Sequence, residues 1–596
     1  MDTKEKIIAL RNEMKKEKIG VYVIPTSDFH DSEYVSPYFM TRRFFSGFTG
    51  SAGTLVVSEN EAALFTDGRY FIQAENQLRG SGIALMRSGE EGVPTVRKYV
   101  SDILPECGNI GFDGRVVTAE TGRAYKKIAE EKNGGIVDID LADRIWKDRP
   151  ALEHTEIYLL EEKYSGKSAA EKLSEVRKKM SGKKADTHII TALDEISWLF
   201  NIRADDIECC PMVLSYAVIT ADSALLFADK NSCGKKVLDY LEKNGAELRP
   251  YDDIYNYAEK LSGGNVWLDT KRANYRLAEA LGNCEIVSEP NPIGLLKAVK
   301  NPVEIENTKH AHLLDGIAVT KFMYWLKTNI GKIKITEADA ADYIDGLRRE
   351  VGGESYIAPS FDTISAYNAN AAMMHYSADK ENCAVLEPQG ILLVDSGGHY
   401  FEGTTDITRT FALGEVSDEV RYHFTLTLRA MLNLAAARFM YGCRGENLDI
   451  LARGIMWENG LDYRCGTGHG VGYLLSVHEG PNSFRHKLSE DRPMSAVLEE
   501  GMITTDEPGV YAEGSHGIRI ENELLCKKAE KCEYGQIMEF ETITYAPIDL
   551  DCVDLTLLEN KDRERLNAYH KMVYDKLSPY FEGDELEFLK KYTRAV

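Results

Sequence analysis

A chain of 596 residues is too long to close over one hydrophobic core, so three or more domains are expected. Its 43% hydrophobic share is that of a globular protein, and a formal charge of −24 disfavours nucleic acid or an anionic membrane as the main partner. Met1-Asp2-Thr3-Lys4-Glu5-Lys6-Ile7 has no apolar h-region, no apolar run reaches spanning length, and the 11 cysteines include no CxxC spacing. The expectation is a cytoplasmic chain with reduced thiols, engaging neither membrane nor nucleic acid.

The first 300 residues read as one α/β unit used twice. Leu10-Arg11, Met14 and Val21-Tyr22-Val23-Ile24 find counterparts at Val176-Arg177, Met180 and Thr187-His188-Ile189-Ile190, at a constant offset of 166. Ala63-Leu64-Phe65-Thr66-Asp67 matches Leu225-Leu226-Phe227-Ala228-Asp229 at an offset of 162. Each copy reads as helix, buried strand, loop and β-hairpin, with a seam near Trp146-Lys147-Asp148-Arg149-Pro150. A second seam lies at Lys297-Ala298-Val299-Lys300-Asn301-Pro302, where Asn301 is placed as an N-cap and Pro302 as the first helical residue. Ala311, Leu314, Ile317, Ala318 and Phe322 then fall at helical spacing. From Lys561 onward the periodicity is helical and the composition charged, which reads as a packed tail without chemistry.

Between these lies the chemistry. Ile391-Leu392-Leu393-Val394 reads as a buried strand and Thr404 to Phe411 as its partner. With the turn centred near Tyr400, Asp395 and Asp406 face each other, and like charges directly opposite need something to neutralise them. Three more short frames follow: Gly466-Thr467-Gly468-His469-Gly470-Val471-Gly472, Thr505-Asp506-Glu507-Pro508-Gly509 and Gly517-Ile518-Arg519-Ile520-Glu521-Asn522. Asp395, Asp406, His469, Glu507 and Glu521 make an oxygen-rich donor set with one imidazole, enough negative charge for two divalent cations and suited to Mn²⁺. Such a pair polarises a carbonyl and activates water, which is hydrolase equipment. The glycines around His469 are read as room for substrate and metal; no phosphate-loop spacing is present. Arg519, Glu521 and Glu523 share one face of a strand, with Glu523 read as solvated.

These five motifs, in this order, resemble the pita-bread-fold metallopeptidase family of methionine aminopeptidase, prolidase and aminopeptidase P. The whole chain is similar to the long, three-domain aminopeptidase P (Xaa-Pro aminopeptidase) form, through Arg42 to Thr54, Thr66 to Tyr70, Ala192 to Asn201 and Val477-His478-Glu479-Gly480-Pro481 as well. The resemblance implies an α/β (α+β) chain: two related creatinase-like N-terminal α/β domains, 1–150 and 151–300, and a pita-bread catalytic domain, 301–596, with a helical C-terminal tail. It implies Asp395 on one metal, His469 and Glu507 on the other, and Asp406 and Glu521 bridging, the metals being Mn²⁺ or alternatively Co²⁺ or Zn²⁺. It further implies His375, His478 and Glu507 as catalytic residues, with Arg69, His375 and His478 binding substrate. Preorganised donors of the kind assigned to His375 and His478 are worth about 2.7–4 kcal/mol each in the transition state. The implied reaction is hydrolysis of the N-terminal Xaa-Pro bond of peptides with proline second, through a metal-bridged hydroxide, by a homodimer. A prolidase restricted to dipeptides and a non-catalytic pita-bread binding module are the alternatives. His399, His423 and His516 take the surface or core reading. Cys465 stands where the family often has a histidine, which touches pocket shape rather than metal binding; a cysteine nucleophile there is not expected.

Overall fold

Helix α1 (Thr3–Lys16) starts at a reciprocal capping box between Asp2 and Glu5 and buries Ile7, Leu10 and Met14 beside strand β1 (Ile19–Pro25). Strands β2 (Thr54–Ser58), β3 (Ala62–Thr66), β4 (Ala84–Arg87), β5 (Asn109–Phe112) and β6 (Ile136–Asp138) complete a six-stranded sheet of order β4-β3-β2-β1-β5-β6. The same plan follows from helix α2 (Ala169–Lys183), again opened by a capping box, between Ser168 and Glu171. Strands β7 (Thr187–Ile190), β8 (Tyr216–Thr220), β9 (Ala224–Ala228), β10 (Glu247–Pro250), β11 (Asn265–Leu268) and β12 (Glu285–Val287) give the order β10-β9-β8-β7-β11-β12. The order is that of the first sheet, element for element. Even a buttress recurs: Arg11 Nε donates to Ser58 O at 2.9 Å, and Arg177 Nε to Thr220 O at 3.0 Å.

The two copies meet through reciprocal backbone bonds. Ala119 N donates to Ala273 O and Tyr275 N to Val117 O, each at 2.8 Å; Glu120 N donates to Thr270 O and Arg276 N to Gly114 O, each at 2.9 Å. Thr118 and Asn274, each the N-cap of its own helix, face each other in an antiparallel bridge at the centre.

This computed structural model describes residues 1–488 and 494–596, and the chain divides into two units: Met1–Glu161 with Lys167–Ile293, and Glu162–Gly166 with Gly294–Val596. The second unit opens on helix α3 (Pro302–Asn329), with Pro302 at its first position and Asn301 accepting from the Val303 and Glu304 amides. Its buried face is not a plain oily stripe: Thr308, His312, Asp315 and Thr320 are buried along with Ala311, Ile317, Ala318 and Phe322.

Strands β13 (Ile364–Tyr367), β14 (Ile391–Ser396) and β15 (Ile407–Ala412) form one antiparallel sheet in chain order. Its register pairs Asp395 with Thr408. The hairpin between β14 and β15 carries a further ladder, His399 with Thr404 and Tyr400 with Gly403, so the turn centres between Phe401 and Glu402 rather than on Tyr400. Asp395 and Asp406 are therefore diagonal neighbours, not direct opposites.

Helix α4 (Asp418–Ala435) leads to the other main sheet, built from β16 (Arg438–Met440), β17 (Gly468–Gly470), β18 (Glu479–Phe484), β19 (Ile503–Asp506), β21 (Asn522–Cys532) and β22 (Gly535–Thr542), with β20 (His516–Arg519) just ahead of β21. Its order is β16-β22-β21-β19-β17-β18. The C-terminal helices α5 (Asn560–Leu577) and α6 (Gly583–Tyr592) bury Leu566, Val573, Leu577 and Leu589 in one core with Ile391, Phe424, Ile518 and Ile520. Among the described residues no helix is long and apolar enough to cross a membrane.

Candidate metal centre

Three carboxylates converge because three strand ends do. Asp395, near the end of β14, accepts at Oδ2 from Arg519 Nη2 at 2.5 Å, while its buried Oδ1 has no hydrogen-bond partner. Asp406 stands just before β15, where the hairpin ladder is interrupted, and its backbone amide donates to Glu523 Oε1 at 2.8 Å. Glu521 lies between β20 and β21. Thr408 Oγ1 donates to its Oε2 at 2.7 Å, and Arg409 Nη1 grips its carbonyl at 2.6 Å. Arg409 is buried and fully engaged, with further bonds to the carbonyls of Thr408, Ala546 and Pro547 and to the Tyr569 hydroxyl of α5. The tail thus braces the strand end that presents Glu521.

His469 and Glu507 come from β17 and the residue after β19. The Gly470 carbonyl lies 2.9 Å from His469 Nδ1; a carbonyl only accepts, so Nδ1 carries a proton, and in the neutral imidazole the lone pair is on Nε2. That Nε2 stands 3.4 Å from Asp406 Oδ2 and 3.6 Å from Glu507 Oε1. Thr505 braces both residues, accepting from the His469 amide at 3.0 Å and donating to Glu507 Oε1 at 3.3 Å. The flanking glycines serve the sheet rather than a ligand. A Cβ on Gly468 would fall 1.8 Å from Thr505 O and one on Gly470 2.3 Å from Glu479 O, so the space read as room for substrate is filled by neighbouring backbone.

All five expected residues come together in overlapping groups whose donor atoms lie within 4.8 Å of one another: Asp395, Asp406 and Glu521; His469, Glu507 and Glu521; and Asp406, His469 and His478. Burial first, then the neighbouring anions Asp395 and Glu507, pushes the Asp406 carboxyl well above its ordinary range. Glu521 is pushed up likewise, by burial and then by Asp406, Glu507 and Asp395. A crowd of buried carboxylates that resist ionising together, with an orphaned Asp395 Oδ1 and a bare imidazole lone pair, fits divalent cations with oxygen-rich ligation.

The other expected site residues are placed as follows. His478 packs edge-on against His469 with ring centroids 4.3 Å apart, inside the cluster. His375 is half-buried and follows Met374, whose carbonyl lies 3.4 Å from Arg519 Nη2. Arg69 belongs to the other unit, where it forks onto Asp67 at 2.9 and 2.8 Å. His399 is a core residue beside Thr404, and His423 and His516 form a buried, hydrogen-bonded pair at 2.8 Å. Cys465 is half-buried, its carbonyl held by Arg453 at 2.9 Å, and belongs to none of the three ligand groups.

Glu523 corrects an expectation. It is fully buried, not solvated, and the expected run of Arg519, Glu521 and Glu523 along one strand is broken, because Glu521 falls between β20 and β21. His312 of α3, 3.0 Å from Glu523, carries no sequence signal beyond its helical phase beside Ala311.

Comparison with known proteins extends these local findings to the whole chain. Residues 6–145 and 148–304 each match the creatinase/prolidase N-terminal domain, which agrees with the duplicated α/β plan. Residues 306–528 match metallopeptidase family M24, and 536–596 the C-terminal region of that peptidase family. A probable Xaa-Pro aminopeptidase P of Tuber melanosporum is 39% identical over 624 residues, covering 100% of both chains. Aminopeptidase P1 of Arabidopsis thaliana is 37% identical, covering 97% of each. The crystal structure of the X-prolyl aminopeptidase of Caenorhabditis elegans, a cytosolic enzyme with a di-nuclear active site, superposes over 100% of both chains with a TM-score of 0.94 at 32% identity. With relatives of this identity matching from end to end, the chain belongs to the metallopeptidase family M24, in its Xaa-Pro aminopeptidase P branch.

Proposed function

We propose that the protein is a dimetal aminopeptidase that hydrolyses the N-terminal Xaa-Pro bond of peptides. The observation that carries this reading is the convergence of Asp395, Asp406, His469, Glu507 and Glu521 into overlapping ligand groups, in a chain that matches aminopeptidases P over its full length. Asp395 would hold one divalent cation, His469 and Glu507 the other, with Asp406 and Glu521 shared; both are grouped once with Asp395 and once with His469, which supports the sharing. When bound, two such cations supply Lewis-acid polarisation and a water acidic enough to react near neutral pH. Mn²⁺ is the proposed ion, on the oxygen-rich donor set.

The chain's own residues do the rest. Glu507, 21% exposed at its side chain, is assigned to receive a proton and pass it to the leaving nitrogen. That nitrogen belongs to proline and must gain one proton as the bond breaks; the attacking water gives one up, and the carboxylate carries it across. His478, packed on His469 within the cluster, and His375, beside the Arg519-bound Met374 carbonyl, are assigned hydrogen bonds to the scissile carbonyl and its developing oxyanion. Arg69 is assigned a substrate contact on resemblance. The domain limits 1–150, 151–300 and 301–596, a homodimeric assembly and a cytoplasmic location complete the proposal.

Mn²⁺-loaded protein incubated with Arg-Pro-Pro, Arg-Pro and Arg-Ala-Ala, with products identified by mass spectrometry, tests it. Release of Arg from Arg-Pro-Pro and not from Arg-Ala-Ala is the expected result. Cleavage confined to Arg-Pro makes the protein a prolidase, and cleavage of none with metal bound leaves a binding module.

A further inference from the structure

Glu523 and His312 are both wholly buried, and burying two such groups in an apolar interior is costly unless the arrangement does something with them. They stand 3.0 Å apart, Oε2 to Nε2, an ion-pair distance rather than an aligned hydrogen bond. The other Glu523 oxygen, Oε1, accepts from the backbone amide of Asp406 at 2.8 Å. Glu523 belongs to none of the three ligand groups, so it sits behind the cluster and not in it.

It takes hold where the hairpin's strand segments are interrupted. The hairpin strand Gly403–Thr404 ends, β15 begins at Ile407, and Thr405-Asp406 between them lie outside either ladder segment. One backbone bond persists there, from Thr405 N to Gly398 O at 2.9 Å, and side chains supply the rest. The Thr405 hydroxyl donates to the Asp315 carboxylate, which the buried Arg348 Nε anchors at 2.7 Å. His312 and Asp315 lie one helical turn apart on α3, so one buried helix face secures Thr405 directly and Asp406 through Glu523.

We propose that His312 and Glu523 are a positioning pair that fixes the Asp406 backbone, and through it the shared carboxylate, in place for two metal ions. The inference rests on the reading of Asp406 as a metal ligand. Outer partners of metal ligands act by orienting them, and their loss costs about 10–100-fold in metal affinity.

The test is calorimetric titration of chelator-stripped protein with Mn²⁺, supported by the visible spectrum of the Co²⁺ form, on wild type, Asp406→Asn, Glu523→Gln and Glu523→Leu. Glu523→Gln keeps an oxygen that can accept from the Asp406 amide and is expected to bind both ions near wild-type strength with an unchanged Co²⁺ spectrum. Glu523→Leu removes the acceptor and is expected to weaken at least one ion by about 10–100-fold and to shift the spectrum. Wild-type affinity and spectrum in Glu523→Leu overturn the inference, as does a loss in Glu523→Gln equal to that in Glu523→Leu. Asp406→Asn separates the two readings: if it keeps both ions, the metal centre itself is misassigned; if it loses one while Glu523→Leu does not, only the positioning role fails. Should Glu523→Leu not fold, His312→Asn replaces it; a weaker ion supports the pair, and unchanged binding overturns it.

Discussion

The Arg519 guanidinium reaches Asp395 Oδ2 through Nη2 at 2.5 Å, and through Nε it donates at 3.1 Å to Thr408, whose hydroxyl bonds to Glu521. One planar fork therefore ties Asp395 of β14 to Glu521, which lies between β20 and β21, and its third arm, Nη1, donates to the Tyr511 hydroxyl at 2.7 Å. Lysine carries the charge but not the fork. Arg519→Lys is expected to fold, to weaken binding of one metal ion and to lower kcat/KM by about 10–100-fold. Peptidase kinetics with Arg-Pro-Pro and metal titration check this, and a variant indistinguishable from wild type in both contradicts it.

With Asp406 and Glu521 as the proposed shared ligands, metal and protons compete for the same two carboxylates. In the metal-free protein both groups are held above their ordinary range, by burial and then by anionic neighbours. The stability they contribute is complete below the ordinary carboxylate range and is lost as pH rises through the raised values. A bound cation takes the place of those protons, so the loaded protein does not suffer that loss. The gap in Tm between Mn²⁺-loaded and chelator-treated protein is expected to widen from roughly pH 5 to pH 8. Metal uptake should also release protons, read as a dependence of the apparent binding heat on buffer ionisation. A gap that narrows with rising pH runs against the assignment.

Cys465 lies outside the ligand groups. Cys465→Ser is expected to retain both metals and peptidase activity of wild-type order, whereas loss of a true nucleophile costs on the order of 10⁴-fold or more in kcat. Cys465→His, which installs the residue the family often carries, is expected to change KM across peptides with different third residues more than kcat. Assays on a short Arg-Pro-Xaa series decide both points.

His570 of α5 sets one arm of the acid denaturation. Its Nε2 accepts from the Ile548 amide at 3.1 Å, and burial pushes the imidazole down to about 3. A depressed histidine contributes stability above its unfolded value, lost as pH falls toward the folded one. Between about pH 6.5 and pH 5 this amounts to roughly 1–2 kcal/mol. Urea melts of metal-loaded His570→Gln should show that slope flattened by this amount relative to wild type; an unchanged slope places the acid sensitivity elsewhere.

What could be read from the chain follows from the range of the forces involved. Asn301, Pro302 and Glu304 settle the start of α3 among themselves, and the five proposed ligands sit in short frames whose spacing carries their meaning. The duplication was legible because strand and hairpin keep their offsets, 166 and 162. The hairpin register was not. It depends on a two-residue interruption at Thr405-Asp406 that is held by Asp315 and Glu523, neither of them local. Glu523 was misread for the same reason: a charge alternating along a strand looks solvated until α3 is known to cover it with His312. The glycines beside His469 look like open space in the sequence, because the Thr505 and Glu479 carbonyls that press on them come from strands 9 to 37 residues away.

The reciprocal bonds between the two N-terminal copies have the form of a two-fold contact, in which each side offers the other the same groups. Between free subunits, such a contact would depend on protein concentration. Carried on one chain it is intramolecular, with an effective concentration on the order of millimolar from tethering alone. A substitution in one copy then disturbs one half of the contact, whereas in a homodimer the same change is made twice. Fusion thus loosens the constraint of symmetry, leaving each half free to diverge toward its own neighbours while the seam between them holds.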